Sequence, residues 1–420
     1  MTSAAQIAEK GLPPSAAALD LAQVRAGEWN VAAGDLPLPA ATLNAAAVEH
    51  NIATMATWCQ THGVLLAPHG KTSLAPELFA RQLKAGAWGI TASTARQAEV
   101  AAAAGATRVI LANEVLDPVQ LTTLGELVAG GVDVLVFVDS ATGLSRLAEM
   151  SDGSIPRVLV EMGMGGGRTG VRTAEELFEL LERVGAEDRV ELAGVSAYEA
   201  LLPAIRRTLP PAFGSLPPST EAVAAFLEDV RAAIAGALDR GLLASDAIVT
   251  AGGSSAFDLV VDALRGVAGP LILRSGCYVA HDHGVYLYLS PLQEGNDPDL
   301  PPDRALRPAM TLWAHVVSRP EPDIAIVGFG RRDAGDDFGA PTPLAVAPSP
   351  GVRRPVDGWA VAQMWDQHAQ MRAGQDATEL RVGDVLTFGI SHPCTTFDKW
   401  RTIAEIDDDD TVLGVVGTWF

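Results

Sequence analysis

Lys71 lies in the turn Pro68-His69-Gly70-Lys71-Thr72, directly after the apolar run Val64–Ala67. Four of the chain's 30 basic residues are lysines, at positions 10, 71, 84 and 399, and the rest are arginines. An arginine supplies charge, but its guanidinium does not condense with an aldehyde, whereas a lysine amine does. A lysine at the C-terminal mouth of a strand is therefore where a barrel enzyme would hold pyridoxal 5'-phosphate (PLP), with His69 beside it. The competing reading is a phosphate-binding or surface lysine.

Other apolar runs end in residues that suit the same cofactor. The glycines of Glu161-Met-Gly-Met-Gly-Gly-Gly-Arg168-Thr-Gly-Val171 allow close backbone approach, and Arg168 is expected to point into the mouth. An arginine near the pyridine nitrogen would keep that nitrogen unprotonated; the alternative is an arginine that caps a glycine turn. The spacing is not GxGxxG and lacks the P-loop lysine, which argues against a nucleotide fold. Tyr198, after Ser196-Ala197, is a candidate for the cofactor pocket or for packing. Gly252-Gly253-Ser254 and Arg274-Ser275-Gly276-Cys277-Tyr278 follow two further runs. Backbone N–H groups of such turns seat phosphate in barrels, so Gly252, Gly253, Ser254, Gly276, Cys277 and Tyr278 are read as cofactor-binding. Far downstream, His392-Pro393-Cys394 offers an imidazole and a thiolate, a pair that suits zinc and leaves positions open for water or substrate. The step is read as the end of a β strand, where the period of two puts both side chains on one face. The bland reading is a buried cysteine beside a chance histidine. His281-Asp282-His283 is a weaker ligand-like trio, read as a turn.

The elements that must position these residues follow from periodicity. From residue 43 to 285 eight short apolar runs, Val64–Ala67, Trp88–Ala92, Arg108–Ala112, Val132–Val138, Arg157–Glu161, Val190–Ala197, Ala247–Ala251 and Pro270–Arg274, alternate with amphipathic stretches. That alternation predicts an α/β fold, a (β/α)8 barrel, with the doubly wound open sheet as competitor. Residues 286–420 read as a mostly β domain that carries the metal pair, with Val285–Ser290 β-like and one helix over Trp359–Ala369. Residues 1–42 form an N-terminal segment expected to pack with the β domain. Leu201–Ser219, rich in proline, reads as an insertion: a lid, an intersubunit contact or a surface loop.

The chain has 420 residues, is 48% hydrophobic and carries a net charge of -21, which argues against nucleic acid as a partner. No run of about eighteen apolar residues suggests a membrane span. The N-terminus shows no secretory pattern, and Cys59, Cys277 and Cys394 are too few and too scattered for a disulfide framework. A soluble cytoplasmic protein is expected.

The lysine turn, the Glu161-to-Val171 glycine loop, the Gly-Gly-Ser turn, Arg274–Val279 and His392-Pro393-Cys394, in this order, resemble the D-threonine aldolase / D-serine dehydratase family. The resemblance runs from about residue 36 to 420. It implies a fold-type III PLP enzyme with an alanine-racemase-like barrel and a C-terminal β domain. By that resemblance Lys71 is the PLP-bearing lysine, Arg168 the arginine at the pyridine nitrogen and Tyr198 a pocket tyrosine. Ser254, Gly276 and Cys277 fall at the phosphate, and His392 and Cys394 are the metal ligands. In the family, His-x-Cys goes with zinc and dehydration, while His-x-Asp goes with manganese or magnesium and aldol cleavage. The expected activity is thus a PLP- and zinc-dependent dehydratase of D-3-hydroxy amino acids, with a D-threonine-type aldolase using Mn2+ or Mg2+ as the alternative. A racemase or a non-catalytic PLP-binding protein is a more distant reading. A homodimer with the active site near the interface is implied, and the two cofactors are expected to have separate anchors. The chain departs from the family pattern at Ser73, in the charged segment 328–341 and in the Leu201–Ser219 insertion.

Overall fold

A strand β1 (Ala40–Asn44) belongs to the second of two sheets. In this computed structural model, which describes residues 8–18, 24, 27–150, 154–209, 219–348, 352–374 and 379–420, the first sheet has eight parallel strands. They are β2 (Leu65–Leu66), β3 (Ile90–Ala92), β4 (Arg108–Glu114), β5 (Asp133–Val138), β6 (Arg157–Met162), β7 (Leu192–Ala197), β8 (Ile248–Ala251) and β9 (Leu271–Leu273). Their spatial order is β2-β9-β8-β7-β6-β5-β4-β3. The two ends meet: Trp88 N–H donates to Leu66 O at 2.7 Å, Thr91 N–H to Pro68 O at 2.9 Å, and His69 bridges Thr91. The eight runs thus close on themselves as the alternation predicts.

Helices α1 (Ala45–His62), α2 (Pro76–Lys84), α3 (Ala95–Ala103), α4 (Pro118–Ala129), α5 (Ala141–Ala148), α6 (Ala174–Gly185), α7 (Glu221–Asp239) and α8 (Phe257–Leu264) cover the outside. The strands read as unbroken apolar runs because both faces are buried. Along β5, Val134, Val136 and Val138 pack outward against the helices, while Leu135 and Phe137 fill the axis with Ile110, Leu159, Ile248 and Ile272. Thr94, Asp117, Ser140 and Thr173 accept first-turn N–H groups of α3 to α6, and Thr173 with Glu176 forms a reciprocal box. Helices started so close to the strand ends keep these connections short and gather the strand ends on one face.

The second sheet adds β10 (Met310–Glu321), β11 (Ile324–Val327), β12 (Thr342–Ala347), β13 (Arg354–Pro355), β14 (Ala360–Met364), β15 (Ala369–Arg372), β16 (Val385–Gly389), β17 (Thr402–Ile406) and β18 (Val412–Gly417). Here β1 sits between β10, antiparallel, and β17, parallel. Two readings are corrected. Trp359–Ala369 is not helical: β14 and β15 are paired strands, and Ala369 and Met371, both fully buried and two residues apart, follow a strand period. Val285–Ser290 is not β-like: Asp282 Oδ1 accepts the N–H groups of Gly284 and Tyr286 and bends the chain into a turn of helix, α9 (Tyr286–Leu289).

The β domain is clasped to the barrel mouth. Arg81 of α2 makes a two-pronged pair with Glu405 at 2.5 and 2.7 Å. His283 N–H donates to Ile390 O at 3.0 Å and Val285 N–H to Ser391 O at 3.3 Å. These bonds join the turn after β9 to the segment after β16. In the insertion, Ile205 and Ser219 exchange backbone hydrogen bonds and Arg206 pairs with Asp258 at 2.6 Å. The reading of this insertion as a lid or intersubunit contact turns on 210–218, which lie outside the described residues. Among the described residues no helix is long and apolar enough to cross a membrane.

Candidate active site

Lys71 sits in a single 3-10 turn, Gly70–Thr72, at the C-terminal end of β2, half-buried. The turn after β9 presses against it. A Cβ on Gly276 would lie 2.4 Å from His69 O, so only glycine permits this approach. The N–H groups of Gly276 and Cys277 converge on Ser254 Oγ at 3.3 and 3.2 Å. Two N–H donors and one hydroxyl at the mouth, beside a lysine turn, fit the phosphate and aldehyde ends of PLP.

The other phosphate candidates are used differently. Gly252 and Gly253 give their N–H groups to the buried Glu199 carboxylate, at 3.1 and 2.7 Å. Gly252 holds a φ of +94°, which a side chain would strain. Tyr278 is a core residue whose phenol oxygen accepts from Gln82 at 2.9 Å. His69 turns Nε2 toward Ser93 Oγ at 3.3 Å and leaves Nδ1 buried without a partner. Burial, Lys71 and Arg274 hold its pKa well below the usual imidazole range, so it is neutral. Arg168 is exposed on the rim, 4.7 Å from the centre of the Tyr198 ring. Burial pushes the Tyr198 phenol up to about 12. The arginine inside the mouth is Arg274, which donates to Thr250 Oγ1 at 2.8 Å and Ala197 O at 2.7 Å. Its place at the end of the apolar run Pro270–Arg274 was a signal that sequence reasoning passed over.

His392 and Cys394 do not lie on a strand. β16 ends at Gly389, and Cys394 starts a short helix, α10 (Cys394–Phe397), so the two side chains converge through a Pro393 turn and not through a strand period. A third ligand atom joins them. Cys277 Sγ is 3.5 Å from Cys394 Sγ, and among the described residues Cys277, His392 and Cys394 form one group with ligand atoms within 4.8 Å of one another. His392 Nδ1–H donates to Asp337 Oδ2 at 2.7 Å, which leaves Nε2 for the group, and Thr395 Oγ1 donates to Asp337 Oδ1 at 2.6 Å. Burial opposes charge on His392, but Asp337 and the Cys277 sulfur outweigh it and raise the imidazole to about 10. The Cys394 thiol and His392 hold Cys277 well below an ordinary thiol, and Cys277 with burial pushes Cys394 well above it. Two sulfurs and an imidazole fixed by a carboxylate are a donor set for a soft divalent metal. Asp337 belongs to the charged segment 328–341, so that departure from the family pattern is part of the site. The His281-Asp282-His283 trio gathers no such group: His281 turns to Gln293 at 2.7 Å and Asp282 to backbone.

Residues 43–261 match the family described as "Alanine racemase, N-terminal domain", and residues 309–406 the family described as "Putative serine dehydratase domain". The chain belongs to the D-threonine aldolase / D-serine dehydratase family, with its alanine-racemase-like fold. A D-threonine aldolase from Arthrobacter sp. is 29% identical over 372 residues, 88% of this chain and 89% of that protein. D-threo-3-hydroxyaspartate dehydratase from Delftia sp. is 36% identical over 138 residues, 32% of this chain and 36% of that one. The crystal structure of D-threonine aldolase from Filomicrobium marinum superposes with a TM-score of 0.77 at 27% identity, covering 94% of this chain and 98% of its own.

This family member also buries an acid pair that sequence reasoning did not find. Glu114, at the end of β4, is pushed up to about 8 by burial and then by Glu161 and Asp139, so at neutral pH it keeps its proton. The folded chain therefore holds a proton that the unfolded chain releases above about pH 4.5, and this side chain makes stability fall as pH rises from there to about 8. Glu114→Gln cannot ionise. Relative to the unchanged chain it should gain on the order of 1–3 kcal/mol between pH 5 and pH 8. Urea denaturation at the two pH values checks this, and a difference that does not change with pH contradicts it.

Proposed function

We propose that this chain is a PLP- and zinc-dependent lyase that dehydrates D-3-hydroxy amino acids of the D-serine type to a 2-keto acid and ammonia. The observation that carries the reading is the Cys277–His392–Cys394 group set against the lysine turn: Thr72, next to Lys71, lies 3.4 Å from Cys394 Sγ. When bound, PLP supplies the electron withdrawal that acidifies the α-carbon, and a metal supplies Lewis acidity at the β-oxygen.

Lys71 would hold the cofactor's aldehyde carbon and, once displaced by substrate, take the α-proton on Nζ. Ser254 Oγ with the N–H groups of Gly276 and Cys277 would hold the phosphate. Arg274 and Tyr198 would border the ring, with Arg168 over the rim. His392 and Cys394 would hold the metal, with Asp337 fixing the His392 tautomer. The hydroxyl leaves as water, and the released enamine hydrolyses to keto acid and ammonia.

Aldol cleavage to glycine and an aldehyde is the second reading. It is favoured by the similarity to a D-threonine aldolase along most of the chain. A cytoplasmic homodimer completes the proposal, a C2 pair being the commonest closed assembly.

Product analysis separates the two readings. The purified protein, given PLP and zinc, is offered D- and L-3-hydroxy amino acids while ammonia, keto acid, aldehyde and glycine are followed together. Ammonia and keto acid in equal amounts, from D-substrates alone, are expected. Aldehyde with glycine would establish the second reading, and turnover of neither kind would refute both.

A further inference from the structure

Cys277 touches both candidate cofactor sites. It opens the 3-10 turn Cys277–Val279 right after Gly276, and its main chain and side chain point to different partners. The N–H, with that of Gly276, is aimed at Ser254 Oγ in the phosphate seat. The sulfur lies 3.5 Å from Cys394 Sγ and 3.8 Å from Thr72 Oγ1. Two thiolates on one tetrahedral zinc, with bonds of about 2.3 Å, stand about 3.8 Å apart. The observed separation is near that, while all three cysteines are free and no disulfide is present among the described residues. Backbone hydrogen bonds from His283 and Val285 to residues 390 and 391 hold the two cysteine segments together, so the pairing is built into the junction of barrel and β domain.

We propose that Cys277 is a third protein ligand, giving a Cys2His centre with one position open, and that through this residue metal and PLP bind cooperatively. The proposal rests on the reading above that the chain holds both groups. A sulfur drawn onto a metal fixes the turn whose N–H groups meet the phosphate, and a phosphate fixes the turn that presents the sulfur. The expectation of separate anchors is thereby replaced by a shared one. Linkage makes the effect reciprocal: zinc should tighten PLP by the same factor by which PLP tightens zinc, on the order of 5-fold or more.

The test uses the full chain freed of both groups. Zinc affinity is measured by competition with a chromophoric chelator, with and without PLP, and PLP affinity by absorbance, with and without zinc. Cobalt(II) replaces zinc to count thiolates, because the sulfur-to-cobalt charge-transfer band grows with each one. In the unchanged chain the band should have two-thiolate intensity and the two coupling factors should agree. Cys277→Ser should halve the band, weaken zinc about 10-fold or more and bring the coupling factor to about one. Cys277→Ala serves as a second variant. One-thiolate intensity, or a coupling factor of one in the unchanged chain, overturns the proposal with no variant needed, while leaving the parent reading standing. If the chain binds no PLP or no metal at all, the parent reading falls and this inference with it.

Discussion

Lys71→Ala is expected to lose essentially all turnover, a fall of about 10³-fold or more, and with it the visible absorbance of bound PLP. Lys71→Arg should be as inactive as the alanine variant. That second variant decides between the two readings of this residue. If Lys71 only paired with a phosphate or lay at the surface, arginine would keep the charge and much of the activity. If Lys71 Nζ must bond to the aldehyde and carry the α-proton, a guanidinium does neither. Borohydride reduction of the holo chain followed by peptide mapping gives the same answer without mutation. The fixed adduct should sit on residue 71, and an adduct on Lys84 or Lys399 would remove the basis of the reading. The position explains why the effect is so large. The turn is clamped by Gly276 against His69 O and by Trp419 N–H, which donates to Leu74 O at 2.9 Å, so the backbone that carries Lys71 is held in place at the mouth.

How far the residues announced this depends on whether their signal was local. The barrel was legible because a strand buried on both faces writes an unbroken apolar run, and Asp133–Val138 or Arg157–Met162 can hardly be read otherwise. The β domain was legible as a change of pattern but not in detail. Over Trp359–Ala369, β14 turns back to pair with β15, and β15 in turn pairs with Ile324–Val327, a contact no local window contains. The same distinction runs through the site. Lys71, His392 and Cys394 stood out by residue type and spacing. Cys277 was singled out only for its backbone, because its sulfur meets Cys394 across 117 positions of sequence. Asp337 was hidden in a charged loop, where one carboxylate in several turns toward an imidazole. Gly252 and Gly253 looked like phosphate donors because the type of turn was right; that Glu199 fills it is a tertiary fact.

Removal of the metal is expected to lower ammonia release about 100-fold or more, since hydroxide is a poor leaving group and Lewis acidity at the β-oxygen is worth several kcal/mol. At saturating PLP the visible absorbance should persist, because Lys71 and the Ser254–Gly276–Cys277 seat remain in place. The loss is then chemical and not a loss of cofactor. Zinc should restore the rate, and manganese or magnesium should do so poorly, because two thiolates and an imidazole form a soft donor set. Cys394→Asp exchanges one thiolate for a hard carboxylate at nearly the same place. It should weaken zinc relative to manganese and magnesium and move product from keto acid toward aldehyde and glycine. The shift should be incomplete, because Cys277 still presents its sulfur. Restoring each metal in turn to the stripped chain and to Cys394→Asp, with ammonia and aldehyde measured in the same samples, tests the whole sequence. A metal-free chain that releases ammonia at its full rate would return His392 and Cys394 to a structural role. The elimination would then depend on Lys71 and PLP alone, and the choice between dehydration and aldol cleavage would have to be set by residues around the substrate's side chain and not by the donor atoms of a metal.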